Sequence, residues 1–450
     1  MEVRVTGCFL PDKGNIMKRK MNRRQFLGSA CAVGAGFALP QIVSASVTGQ
    51  SAAAAPSNTV TLGCIGVGGM GLDNMHKLMS LNNCRVLAIC DVYKDRQERA
   101  KSIVDEKAGN SDCAVYGDWR ELIARDDIDA VMIAAQDHWH ALMAVEAAQA
   151  GKDIYCEKPL GVSVQESQAI RDAVRKHGCV FQTGTWQRSL ENFQRACTLV
   201  RNGYIGRVHT VEVSVEGPHY QPKYKGPYGM QPVPEGFDWE MWRGPASPEP
   251  YNRGRVEWPD WYLIFDYCVG FITNWGVHHL DIAHWGCPRI GQEPFELSCE
   301  EVIRTEGFTD NSLSWRAEFR YADGFKMIFT DEEKMKLGCK FIGEEGWVHV
   351  DRSGIWAEPD SLLTLPFKDS DERLTDSTHH GKNFLDCIAT RKDPVSHVDA
   401  AHTASILGML ADIAGRTGET LRWDPALEQF INHDGANAQL KRAMHNGWSL

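Results

Sequence analysis

From residue 59 onward, short apolar runs alternate with stretches whose apolar positions recur at helical spacing. Residues 59–66, 85–90, 130–135, 153–156 and 179–183 are compact apolar runs and predict strands. Between them, residues 72–81, 96–107, 119–125, 140–150 and 164–176 predict helices. Strands alternating with helices over this length imply a parallel sheet covered on both faces. Past about residue 184 the rhythm changes. Residues 190–201 predict a helix, then 207–216, 295–304, 312–321, 325–330 and 340–351 predict strands, and 378–388 and 397–413 return to helix. Tyr321-Ala322-Asp323-Gly324 predicts a hairpin turn, because Asp-Gly accepts the backbone angles a tight turn needs. The second half is therefore expected to be a mainly antiparallel sheet with helices. Residues 217–260, aromatic and rich in Pro and Gly, predict a long excursion on a substrate rim or a subunit contact.

Length and composition add boundaries to this pattern. The chain has 450 residues, 43% hydrophobic and 24% charged, which fits two compact domains better than one core. Residues 47–58 are rich in Ser, Ala and Gly and predict a linker. Residues 59–183 form the first expected domain, 184–430 the second, and 431–450 a tail. Ahead of the linker, Lys18, Arg19 and Lys20 precede Asn22-Arg23-Arg24-Gln25-Phe26-Leu27-Gly28 and a short apolar stretch ending in small residues. A basic region followed by a short apolar region predicts an export signal in residues 1–46 rather than a membrane span. The paired arginines resemble a twin-arginine leader, which carries folded proteins out of the cytoplasm. A periplasmic or otherwise exported protein is expected, and residues 1–16 are expected to be dispensable.

The net charge is −11, and the first 50 residues hold seven basic side chains against Glu2 and Asp12. Such an acidic folded part disfavours nucleic acid and anionic membrane as partners. Twelve of the fourteen cysteines lie beyond the leader, with no Cys-x-x-Cys pair, and are expected to be buried free thiols.

Gly66-Val67-Gly68-Gly69-Met70-Gly71 follows a predicted strand and opens a predicted helix. Lacking side chains, these glycines let the turn tighten and bring backbone N–H groups against a pyrophosphate at a helix N-terminus. Asp91 ends the next strand, where a carboxylate can accept the adenosine ribose hydroxyls and would repel a 2′-phosphate. NAD is expected, with NADP disfavoured. The segment from Ala134 to His140 also leaves a strand on the ligand side, which puts Gln136 and His140 in the cofactor group.

Glu157-Lys158-Pro159 sits at a C-terminal strand edge, with Glu157 and Lys158 expected beside the cofactor. Oxidising a carbinol needs a path for the hydroxyl proton and a polar group on the oxygen, and a lysine can supply both. A lone lysine is more often a solvated surface group. In Asn274-Trp275-Gly276-Val277-His278-His279-Leu280-Asp281, a helix would put His278 and Asp281 on one face with Asn274 one turn earlier. Such a cluster can place an imidazole by a reacting hydroxyl. Adjacent histidines do not share a helix face and no third ligand is matched, so no metal is expected.

The glycine motif, the Glu157-Lys158-Pro159 triplet and Gly276-x-His278-x-x-Asp281, in that order, resemble the Gfo/Idh/MocA family, named for glucose-fructose oxidoreductase and inositol dehydrogenase. The resemblance implies an N-terminal Rossmann domain with a parallel sheet and a C-terminal α/β domain with a large, mainly antiparallel open sheet. It implies an NAD-dependent oxidoreductase acting on a sugar, polyol or glycoside, in a homo-oligomer, with Lys158 and His278 catalytic. Arg188, Asn274, His279 and Asp281 are placed with the substrate. This chain has Asn274 where the family typically has Asp, and Val269-Gly270 where it has paired glycine. Some relatives cleave glycosides through transient oxidation, and a non-catalytic dinucleotide carrier is a third reading.

Overall fold

The computed structural model describes residues 59–217, 223–303, 307–331, 335–375 and 377–450. The expected export signal, its paired arginines and the linker at 47–58 lie outside the described residues.

Strand β1 (Val60–Ile65) runs into the glycine turn and the helix Gly69–Met79. With β2 (Cys84–Cys90), β3 (Ala114–Tyr116), β4 (Ala130–Ile133), β5 (Asp153–Cys156) and β6 (Phe181–Thr183), it forms a sheet in the order β3-β2-β1-β4-β5-β6. All of its pairings are parallel. Every residue of β4 and β5 is buried, which is why their sequences read as continuous apolar runs without alternation. Strand order reverses between β1 and β4, and a crevice opens there at the C-terminal strand ends. Strand β3 has only three residues, none of them buried, and no apolar pattern announces it.

The second sheet has nine strands. They are β7 (Val208–Val215), β8 (Phe295–Ile303), β9 (Ser312–Tyr321), β10 (Lys326–Asp331), β11 (Gly338–Gly343), β12 (Trp347–Asp351), β13 (Gly354–Glu358), β14 (Leu421–Asp424) and β15 (Gln429–Phe430). Their order is β13-β12-β11-β7-β10-β9-β8-β14-β15. The β7–β10 pair is parallel and the other pairs are antiparallel. The Asp-Gly hairpin joins β9 to β10, with Gly324 at φ +89° and Tyr321 N–H donating to Phe325 O at 2.9 Å. The apolar run at 340–351 is two strands, not one, because Gly343 N–H turns back onto Gly346 O at 2.8 Å. The expected helix through Asn274 and Asp281 is interrupted at Trp275, between Phe271–Asn274 and Gly276–Gly286.

One face of this sheet, including Val213, Trp315, Phe319 and Phe341, buries against Leu280 and Leu410 of the helices Gly276–Gly286 and Val398–Thr417. The 20 residues of Val398–Thr417 span about 30 Å. Val398 and Ala401 sit in the core of the first sheet, and Leu407 and Leu410 in the core of the second. One rigid helix therefore fixes both domains around the crevice.

The excursion after β7 does not stay with the second sheet. Phe237, Trp239, Trp242, Tyr251 and Tyr267 form their own cluster, and its edge is sewn to the first domain. Lys94 N–H donates to Gly236 O at 2.8 Å and Asp238 N–H to Val92 O at 3.0 Å. The Tyr93 and Phe237 rings stack at 4.1 Å. Trp139 Nε1 donates to Trp242 O at 2.9 Å. The expected tail joins this contact: Trp448 packs edge-on to Trp139 at 4.9 Å.

Candidate active site

The glycine turn is shaped by contacts that side chains would prevent. Gly66 has φ +77°, and a Cβ there would lie 2.7 Å from the Ala134 and Ala135 backbone. A Cβ on Gly71 would lie 1.9 Å from Gly66 O, whereas one on Gly69 would meet nothing within 4 Å. The turn is thus tight on its protein side and open on its other side. Gly66, Gly68, Gly69, Met70, Asp91, Gln136, His140, Glu157 and Lys158 all line a cavity of about 550 Å³, while Gly71 lies behind it as a packing residue. Asp91 is buried and fixed, accepting from Val67 N–H at 2.8 Å and Tyr93 N–H at 3.0 Å. Burial raises its carboxyl above the ordinary value, against the pull of Arg96. These features fit a dinucleotide: backbone donors face the pyrophosphate position, and a carboxylate ends β2 where the ribose would lie. The excursion roofs this cavity with Met241, Trp242, Val256, Trp258 and Trp261.

Lys158 stands where that cavity meets a second, of about 590 Å³, lined by Trp186, Trp275, His278, Arg352 and His380 among others. Met70, Glu157, Lys158, Trp258, Tyr262 and Asn274 line both. Two anchors hold the corner in place. Glu157 accepts from Asn74 Nδ2 at 2.8 Å, and a Cβ on Gly184 would lie 2.5 Å from its carboxylate oxygens. His140 places Nδ1 on Pro159 O at 2.7 Å and Nε2 on Ala135 O at 3.0 Å, tying the triplet to the loop after β4.

Lys158 Nζ donates to Asn274 Oδ1 at 2.7 Å and to Asn274 O at 3.1 Å. The Asn274 amide in turn donates to Asp137, at 2.9 and 3.2 Å to the two carboxylate oxygens. Charge fixes this amide's orientation, since the reverse would set its NH₂ against an ammonium and its carbonyl against a carboxylate. Asp137 is buried, and burial lifts its carboxyl above the ordinary value, opposed by His140, Lys158 and Asn274. The carboxylate missing at position 274 is thus present one residue further out. Asp137 received no role from the sequence, although it lies inside the loop motif that supplied Gln136 and His140.

His278 lines the second cavity, with Nδ1 buried and unpartnered. Burial, followed by the charges of Lys158 and Arg352, holds its imidazole well below the usual range, so the ring is neutral near neutral pH. Tyr262 is also held protonated, its phenol raised chiefly by burial, and can only donate or accept a hydrogen bond there.

Three residues placed with the substrate do not line either cavity. Arg188 grips Asp281 through two hydrogen bonds of 2.8 and 2.7 Å and donates to Val395 O at 3.0 Å. Both side chains are buried and spent on each other, so the pair is an internal tie between helices. His279 lies about 100° around the helix from its neighbour and turns to the sheet, with Nδ1 on Ser214 O of β7 at 2.7 Å. The substrate assignments of Arg188, Asp281 and His279 are therefore corrected. Arg352, at the end of β12, carries no local pattern in the sequence and was missed. Outside both cavities, Asp393, His397 and Asp399 form one metal-capable group among the described residues, and Arg175 bridges its two carboxylates.

Residues 60–185 match the oxidoreductase family's NAD-binding Rossmann fold, and residues 189–450 match the C-terminal alpha/beta domain of the same family. The chain belongs to the Gfo/Idh/MocA oxidoreductase family. NAD is the cofactor of its Rossmann domain. Inositol 2-dehydrogenase of Salmonella typhimurium is 31% identical over 178 residues, which cover 38% of this chain and 50% of that protein. Alpha-N-acetylgalactosaminidase of Shewanella oneidensis is 31% identical over 205 residues, 42% of this chain and 40% of that protein. The chain spans half or less of the length of the curated relatives it matches. Among solved structures, aldose-aldose oxidoreductase from Caulobacter crescentus superposes with a TM-score of 0.60 at 18% identity, over 80% of this chain and 99% of that one. At that identity the likeness is one of fold.

Proposed function

We propose that this family member is an NAD-dependent oxidoreductase that oxidises a ring hydroxyl of a sugar, polyol or glycoside and keeps its cofactor between turnovers. The observation that carries the reading is Lys158, a single ammonium at the junction of the dinucleotide cavity and a second cavity that holds His278. When bound, NAD supplies the acceptor for the carbinol hydride. Lys158 Nζ, steadied by Asn274, donates to the substrate oxygen and offsets its growing negative charge. His278, neutral and buried on the substrate side, takes up the hydroxyl proton. An amide cannot pass a proton on as a carboxylate would, so Asn274 orients Lys158 and the proton leaves through His278.

The roof over the first cavity supports cofactor retention, since the segment that carries Met241 and Trp242 is hydrogen-bonded to the first domain at Gly236 and Asp238. Retention matches the export suggested by the arginine pair at Arg23-Arg24, which we propose as the route of a cofactor-loaded protein. Cell fractionation of an R23K/R24K double variant tests it: the protein should remain cytoplasmic. A retained cofactor must be reset within the site, so cleavage of a glycoside by transient oxidation is the second reading. Native mass spectrometry of the full chain, followed by addition of sugars and glycosides, separates the two. Oxidoreduction predicts bound NAD and reduced-nicotinamide absorbance on mixing; cleavage predicts aglycone release without net reduction. A protein that purifies without NAD and does not take it up overturns both.

A further inference from the structure

The second cavity contains a cation that this chemistry does not use. Arg352 leaves β12 at its end and lines the same cavity as Lys158 and His278. Its guanidinium carbon lies 4.7 Å from the Trp186 ring centroid and 4.3 Å from that of Trp275. Two indoles therefore hold the flat group by its π-faces. Among the described residues it makes no hydrogen bond or ion pair, only these ring contacts. Burial lowers its pKa to about 10, with Glu216 acting in the opposite direction.

Several other guanidiniums among the described residues meet a carboxylate. Arg188 is bidentate on Asp281, Arg171 meets Glu428, and Arg391 meets Asp153. Arg352, exposed and lining the cavity, has no such partner among the described residues, and Lys158 adds a second positive charge to the same cavity. The acidic residues of the wall do not answer it. Glu157 is engaged by Asn74, and Asp73 stands on the exposed face of the helix Gly69–Met79, one turn from Lys77. A guanidinium that rests on two indoles and makes no hydrogen bond among the described residues keeps its fork of N–H donors free, and that fork matches a carboxylate.

We propose that Arg352 binds a carboxylate carried by the substrate, so that the preferred substrates are carboxylate-bearing sugars, uronates or aldonates, rather than neutral ones. The assignment deepens the oxidoreductase reading and rests on it for the reaction at Lys158. A sugar phosphate offers similar oxygens to the same fork. With Lys158 given to the reacting hydroxyl, the one remaining guanidinium balances the single charge of a carboxylate and leaves a phosphate dianion half-balanced.

The test is calorimetric titration of the NAD-loaded full chain with D-glucuronate, D-galacturonate and D-gluconate. Each is matched with D-glucose, D-galactose or D-glucitol, and D-glucose phosphate is included as a separate arm. At least one carboxylate should bind about tenfold or more tightly than its neutral match. R352M should remove that gap and leave the neutral sugar's affinity unchanged, with bound NAD and circular dichroism intact. R352K should restore part of the gap, since an ammonium keeps the charge but not the fork. The assignment is overturned if no carboxylate outbinds its match, if the phosphate ester outbinds every carboxylate, or if R352M weakens charged and neutral sugars alike. Nicotinamide absorbance in the same samples keeps the two proposals apart. A carboxylate preference without reduction removes the oxidoreductase reading alone, and reduction by neutral sugars without preference removes the Arg352 assignment alone.

Discussion

The two cavities that meet at Lys158 are built by different means. The first has a base of backbone from the first domain, a glycine turn, a strand end and a loop leaving β4, under a roof of side chains from the excursion. The second is made from side chains that arrive from both domains, among them Trp186, Trp275, His278, Arg352 and His380. Backbone recognition binds a constant part of a ligand and needs little beyond the absence of Cβ atoms. Side-chain recognition selects among ligands and depends on each group being held by its own neighbours. Lys158 belongs to both, which makes it the position where damage to either should be felt.

The largest expected effect follows from that shared position. Lys158→Met should lower kcat by about a thousandfold, since it removes the group facing the developing oxygen charge. The NAD content found by native mass spectrometry should stay near that of the unaltered chain, because the glycine turn and Asp91 do not depend on the ammonium. Loss of turnover together with loss of NAD would show that the two cavities are not separable at this residue. Next in size is a contrast inside the turn. Gly71→Ala forces a Cβ to within 1.9 Å of Gly66 O, whereas Gly69→Ala enters open space. The first should weaken NAD binding by about a hundredfold and the second by a few-fold at most, on the scale of backbone displacement against no contact. Equilibrium dialysis of the two variants measures the difference.

This contrast also explains what the sequence disclosed. The glycine turn, Asp91 and the Glu157-Lys158-Pro159 corner are each contiguous, so a local pattern carries their function, and the structure brings them to one cavity. The antiparallel half was legible as strands because alternation and the Asp323-Gly324 turn are local too. The second cavity was not legible to the same degree. Arg188 and Asp281 look like substrate groups in a one-dimensional reading, but tertiary packing sets them against each other. His279 and His278 are neighbours in sequence with opposite surroundings, a distinction made by the helix turn and by Ser214 on β7. Nothing near Arg352 announces that Trp186 and Trp275 will close on it. Asp137 was within reach, since a carboxyl in a loop leaving a parallel strand faces the ligand side, yet its partner is 137 residues away.

Asn274 sharpens the comparison from the substrate side. Asn274→Ala removes the side-chain acceptor for Lys158 Nζ, leaving only the backbone carbonyl, and the donor to Asp137, and should reduce kcat by roughly tenfold to a hundredfold with little change in NAD content. Asn274→Asp sets a carboxylate against Asp137, whose carboxyl is already raised by burial. One of the two must then hold a proton. The pH profile of kcat should gain an ionisation absent from the unaltered chain, while a purely structural role for Asn274 would change the rate at every pH alike.

The smallest expected effect concerns stability. Burial depresses His279 and His380, beside the second cavity, to about 4 from the ordinary 6.5. In the unfolded chain these rings take up protons as the pH falls through about 6.5, whereas in the folded chain they stay neutral until it nears 4. Between those values the unfolded state binds more protons, so the stability present above pH 6.5 is lost as the pH falls toward 4. Replacing His279 by Gln removes one such site. Chemical denaturation between pH 6.5 and 5 should then show a shallower fall, by about 1.4 kcal/mol per pH unit for one proton fully engaged. Glu301, raised to about 8 mainly by burial and by Asp412, has the opposite sign: its contribution is complete below about 4.5 and lost as the pH rises through 8. Glu301→Gln should therefore steepen the fall in acid while His279→Gln flattens it. Equal slopes in the two variants would mean that neither buried group titrates as its surroundings require.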